Sequence, residues 1–100
     1  MSETAIKDTI LSWLRKHGSY AVKIHGGPMQ EAGVPDIQAC ISGRFIAIEV
    51  KIPGQEATPV QQYHIEDILR AGGVAFVAHS LREAMDQLET FGVNTTFDNE

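Results

Sequence analysis

The chain has a single cysteine, Cys40, and no apolar run long enough to cross a membrane. One thiol excludes an internal disulfide and any cysteine-built zinc site, and the cytoplasm is the default compartment for such a sequence. Cys40 itself, in the middle of an apolar run, reads as a small buried side chain. The N-terminus lacks the basic-then-apolar pattern of a signal peptide. There is no glycine-rich phosphate loop and no Ser/His/Asp order. His17, His25, His64 and His79 are too scattered for metal-ligand spacing, which argues against a zinc hydrolase. Neither an organic cofactor nor a membrane partner is expected. Bases are also scarce. Thirteen acids against eight lysines and arginines leave a net charge of −5, which opposes binding a polyanion by charge alone. The deficit is uneven, however. From Glu83 onward there are five acids and no lysine or arginine, whereas residues 1–82 carry eight of each sign.

What is present is organised around one hairpin. The apolar runs Ile37 to Ile41 and Phe45 to Val50 flank Ser42-Gly43, a turn of the kind that joins antiparallel strands. A loop centred there pairs Ile41 with Arg44, Gln38 with Ala47, and Asp36 with Glu49. Directly opposed side chains share a face at a Cβ separation of roughly 4.5–5.5 Å, and alternation turns Lys51 to the same side as Glu49. Two opposed carboxylates repel each other. A hard divalent cation such as Mg²⁺, which favours one or two carboxylates plus waters and phosphate oxygens, converts that repulsion into a binding site. Lys51 is then placed to stabilise developing negative charge or to position an attacking water. The plainer alternative is an exposed polar face on an ordinary hairpin. Against it, Glu49 and Lys51 interrupt the apolar run Phe45-Ile46-Ala47-Ile48 near its end.

The remaining elements follow from periodicity. Residues 3–16 read as an amphipathic helix capped by Ser2, with Ile6, Ile10, Trp13 and Leu14 on one stripe and Gly18 at its end. Residues 19–25 read as a strand with Tyr20, Val22 and Ile24 on one face and Lys23 and His25 on the other. Residues 26–33 form a glycine-containing loop. Thr58, Pro59 and Gln61 open a second helix with a capping box, and Tyr63, Ile65, Ile68 and Leu69 supply its packing face. Residues 74–78 are an uninterrupted apolar strand, suited to cover on both faces. Ser80 and Glu83 open a last helix whose stripe runs from Leu81 to Phe91. The predicted order is αβββαβα, an α/β domain over residues 1–92 with a mixed sheet flanked by helices. Residues 93–100 form a polar, loose tail.

Pro35-Asp36 followed by Glu49-Val50-Lys51 resembles the PD-(D/E)xK nuclease signature. The wider setting, Gly33-Val34-Pro35-Asp36, the hairpin, Ile48-Glu49-Val50-Lys51, Thr58-Pro59-Val60-Gln61 opening a helix, and the Val74 to Ala78 strand, is similar to the VRR-NUC branch of that superfamily. The resemblance covers most of residues 3–90. It implies the PD-(D/E)xK nuclease core and a Mg²⁺- or Mn²⁺-dependent DNA endonuclease in which Asp36, Glu49 and the Val50 backbone carbonyl hold the metal and Lys51 assists catalysis. It implies a place beside the metal for Gln61, for which capping is a sufficient structural reason, and a further acidic ligand in Glu3, for which the helix dipole is another. Lys23 and His25 become candidates for DNA phosphate contact, although His25 also reads as a solvated strand end. A domain this small has little surface with which to grip a duplex. A homodimer acting on branched DNA such as a four-way junction is therefore expected, paired through the first helix with Trp13 or the last helix. The alternative is an inactive nuclease-fold binding module, or a subunit of a larger nucleoprotein assembly.

Overall fold

The computed structural model describes residues 1–95. The element order is α1 (Glu3–Lys16), β1 (Tyr20–Lys23), β2 (Ile37–Ile41), β3 (Arg44–Val50), α2 (Pro59–Arg70), β4 (Val74–Ala78) and α3 (Leu81–Thr90), the predicted αβββαβα. The four strands form one sheet in the order β1-β2-β3-β4, antiparallel except for the parallel β3–β4 pair. Helix α2 makes the crossover between those parallel strands. Among the described residues no helix is long and apolar enough to cross a membrane.

Local chemistry accounts for each boundary. Ser2 Oγ accepts from Ala5 N at the start of α1, and Gly18 leaves it at φ 84°. Ser42 and Gly43 both have positive φ, 50° and 81°, the backbone of a two-residue turn that matches strand twist. That turn sets the register Ile41↔Arg44 through Ile37↔Ile48, as expected. Thr58 and Gln61 form the reciprocal capping box with Pro59 at the first helical position. At α3, Ser80 caps Glu83 N at 3.0 Å. The Glu83 carboxylate reaches back past Ser80, accepting from His79 N at 2.9 Å.

The sheet divides the core in two. Ala21, Ile37, Ala39, Ile41, Ile46, Ile48, Val50, Val74, Phe76 and Ala78 pack with α1 and α3 on one face. On the other, Ala47 and Ala75 meet Ile65, Ile68 and Val77 beneath α2. Val93 is buried in the first cluster. Of the polar tail expected from residue 93 onward, residues 96–100 lie outside those described.

Three expectations need correction. Cys40 is exposed, because α2 packs over β3 and β4 and leaves this face of β1 and β2 open. Tyr20, Cys40 and Phe45, register partners across three strands, form an exposed row there. For the same reason Tyr63 and Leu69 are 56% and 39% exposed rather than part of a packing face. The apolar sides of α1 and α3, expected as surfaces for pairing two copies, are used within the chain. Trp13, Leu81 and Phe91 pack against the core, and Phe91 stacks on Phe76.

The loop before β2 approaches α2 closely. Gly33 has φ 85°, and a Cβ there would lie 2.9 Å from the Val60 carbonyl oxygen. Gly43 has a similar φ with nothing within 4 Å of such a Cβ. Gly43→Ala should therefore cost only the left-handed backbone penalty of about 1–2 kcal/mol. Gly33→Ala should cost at least about 1 kcal/mol more, since the atom it meets is backbone. Urea unfolding of the two variants checks this, and equal losses would show that the contact at Gly33 carries no weight.

Candidate metal centre

β2 and β3 form a fork. Their pairing ends at Ile37↔Ile48, while β3 continues for two residues against β4, with Glu49↔Val77 and Val50↔Ala78. Asp36 stands at the mouth of this fork and Glu49 on its far prong. Lys51 N donates to Ala78 O on the β4 side, so alternation turns the Val50 amide and carbonyl toward β2. Continued in register, Val50 faces Pro35. A proline has a carbonyl but no N–H, so the ladder step that would occupy the Val50 carbonyl is missing. The Val50 N–H donates to Asp36 Oδ2 instead, at 2.8 Å. That bond holds the Asp36 carboxylate in the fork.

Among the described residues Glu49 is the one charged side chain that is buried, 2% exposed, and its Oε1 has no hydrogen-bond partner there. Its pKa is pushed up to about 8. Burial is the main cause, followed by the Asp36 charge and a hydrogen-bonding contact with Asp36 that favours keeping the proton. Lys51 works in the opposite direction, and the Glu3 charge adds a small further rise. A carboxyl group buried without enough partners is costly, and here two of them meet.

The hard oxygen donors fit a hard divalent cation. Among the described residues no three acidic, histidine or cysteine side chains form a metal-holding cluster. The donors that could serve are therefore Asp36, Glu49 and the Val50 carbonyl, completed by water, a set that suits Mg²⁺ or Mn²⁺ better than calcium's larger shell. Lys51 is half-buried just beyond β3. The loop after it is tied down by His79, whose Nε2 lies 2.8 Å from Gln55 O and whose Nδ1 lies 2.7 Å from Glu83 Oε1. These acceptors raise the His79 pKa, the Gln55 carbonyl most.

Among the sequence-derived candidates, Asp36, Glu49 and Lys51 come together, with Glu3 within electrostatic reach. Gln61 stands at the head of α2 with its Oε1 committed to Thr58 N at 2.9 Å. Lys23 lies under α1, ion-paired with Asp8 at 2.7 Å. His25 is exposed, two residues past the end of β1. Lys7 is the residue that sequence reasoning missed. Its ammonium lies 3.4 Å from Asp36 Oδ1 and 3.8 Å from Glu3 Oε2. The one available signal was its i,i+4 spacing from Glu3 on α1.

An antiparallel hairpin feeds a parallel strand through a crossover helix, with paired carboxylates at the hairpin's open end, and this arrangement recurs in solved α/β structures. Within that class the chain has the fold of the VRR-NUC domain. It is similar to a structure described as a VRR_NUC domain protein, with a TM-score of 0.73 and 22% identity over 89% of this chain and 86% of that one. A second VRR_NUC domain structure matches with a TM-score of 0.73 and 21% identity over 88% of this chain and 94% of the other. The Holliday junction resolvase Hjc of Archaeoglobus fulgidus, an archaeal hyperthermophile, matches with a TM-score of 0.59 and 26% identity over 75% of this chain and 65% of that one. No protein-family model matches the sequence, and no curated protein matches it.

Burial of Glu49 gives a pH signature. Between its ordinary value of 4.5 and about 8 the native state holds a proton that the unfolded state has released, so stability falls as pH rises through this window. In EDTA, Glu49→Gln should match wild type near the lower limit and exceed it by roughly 2–4 kcal/mol above the upper one. Urea titrations at both pH values measure the gap, and a gap that does not widen with pH would contradict the account.

Proposed function

We propose that this chain is a Mg²⁺- or Mn²⁺-dependent DNA endonuclease. The observation that carries the reading is the Glu49 carboxyl, buried with one orphaned oxygen beside Asp36 on a nuclease fold. Such a pair destabilises a domain that does not use it, which also weighs against an inactive binding module. Asp36, Glu49 and the Val50 carbonyl would hold the ion. The chemistry it supplies is acidification of water and neutralisation of charge on the scissile phosphate. Lys51 places an ammonium beside that phosphate, where charge builds during hydrolysis. Asp36 stays oriented through its bond from Val50 N. The groove of about 230 Å³ beside Asp36, lined by Ile24, Gly27, Gln30, Glu31 and Val34, offers a rim for the DNA strand. Glu3 near the centre, Gln61 through its uncommitted amide nitrogen, and Lys23 and His25 as phosphate contacts are secondary parts of the proposal.

The substrate we propose is branched DNA, with the four-way junction first, cut by a homodimer. The likeness to a Holliday junction resolvase supports this. So does the small size of the domain, since a two-fold dimer doubles the phosphate contacts and matches the junction's symmetry. The exposed row Tyr20, Cys40 and Phe45 carries no charge, so two copies of a chain with net charge −5 meet there without like-charge repulsion.

Two outcomes are expected. Cleavage should require a divalent cation and disappear in EDTA, in Asp36→Asn and in Glu49→Gln. Lys51→Ala should bind metal but lose about 10²-fold or more in kcat. Nicking of labelled DNA and metal calorimetry measure these, and full activity in EDTA or in either carboxylate variant would end the proposal. Sedimentation should report twice the 11.0 kDa monomer mass, with Phe45→Lys reverting to monomer, and junctions should be cut in preference to linear duplex. A wild-type monomer, or equal cutting of both substrates, would refute this second part.

A further inference from the structure

The acid expected from α1 is ion-paired within its own helix. Glu3 is 44% exposed and lies one helical turn from Lys7, whose ammonium it approaches at 3.8 Å. Its influence on Glu49 is the smallest of those acting there. Lys7, by contrast, is only 17% exposed and is ion-paired with Asp36. Asp36 has two carboxylate oxygens. Oδ2 takes the Val50 N–H at 2.8 Å, and Lys7 Nζ lies 3.4 Å from Oδ1. A cation held by the Asp36 carboxylate would therefore have this ammonium as a neighbour. Glu3 is the second acid within 4 Å of the same ammonium.

Resting on the metal-dependent reading above, we infer that Lys7 is an internal counter-ion competing with the divalent cation for the Asp36 carboxylate, and that Glu3 serves the centre by drawing Lys7 away. In the metal-free protein the ammonium offsets the Asp36 charge. A doubly charged cation on that carboxylate would repel it, and Glu3, on the same helix face, is the acceptor that remains. A lysine suits this function because its charge sits on a flexible four-carbon stem. Lys7 and Glu3 are thus positioning residues that set metal affinity, with neither required to touch the substrate.

The test is a double-mutant cycle on Mn²⁺ affinity, measured by calorimetry on the full chain stripped of metal, with no activity readout. Lys7→Met should bind Mn²⁺ about tenfold more tightly than wild type, within the range of coupling for groups in one charge network. Glu3→Gln should bind several-fold more weakly. In the Lys7→Met background, Glu3→Gln should change affinity by no more than about twofold, the ordinary error of additivity. Lys7→Gln should shift affinity in the same direction as Lys7→Met and provides the cycle if the methionine variant melts early. Equal weakening by Glu3→Gln in both backgrounds would make Glu3 a direct ligand and overturn the inference. So would a Lys7→Met variant that binds no more tightly than wild type. In both cases the metal centre itself would survive. Absence of Mn²⁺ binding in wild type and every variant would remove the centre and this role together.

Discussion

The interaction on which the structure turns is an unfavourable one, two carboxyl groups brought together at the mouth of a strand fork with Glu49 almost entirely out of water. A domain of this size has a small margin of stability. It tolerates the pair because everything around Glu49 is over-determined. Ile46, Ile48 and Val50 are fully buried on one face of β3, and Ala47 is fully buried on the other. The strand is paired on both sides through Ile48 and on its β4 side to its end. Glu49 cannot turn outward without withdrawing that strand from the centre of the sheet.

The surrounding groups moderate the charge without cancelling the burial. Lys7 faces Asp36, and Lys51 pulls the Glu49 equilibrium toward ionisation. Near neutral pH, with Glu49 holding a proton, this pair of carboxyl groups is far less anionic than its residue types suggest. A net charge of −5 for the whole chain is consequently a poor guide to the field at this site. Arg82 is the last base of the chain, and the five acids from Glu83 to Glu100 that follow it account for the whole imbalance.

The elements were legible in the sequence because each boundary has a local cause. The Ser42-Gly43 turn sets the hairpin register, and Ser2, Thr58 and Ser80 accept the first helical amides. Asp36 and Glu49 could be placed opposite each other by counting outward from that turn. What could not be read depends on how far one element covers another. Helix α2 packs mainly over β3 and β4, so Cys40, Tyr63 and Leu69 face solvent, although their positions within a strand or helix suggested burial. Lys7 could not be placed because its approach to Asp36 is set by the docking of α1 on the sheet, and no local pattern encodes that distance. The ion pair between Lys23 and Asp8 is another product of the same docking.

Pro35 has a consequence for which substitutions this chain can accept. Its side chain is fully buried, and it also contributes an absent donor, which neither size nor hydrophobicity describes. A residue of any other kind at this position would bring an amide hydrogen opposite the Val50 carbonyl, and the hairpin would be able to zip one rung further. The fork would narrow, and the carbonyl would be consumed by the sheet. Tolerance at position 35 therefore depends on backbone valence as well as on burial, so even a small apolar replacement would alter the mouth of the fork.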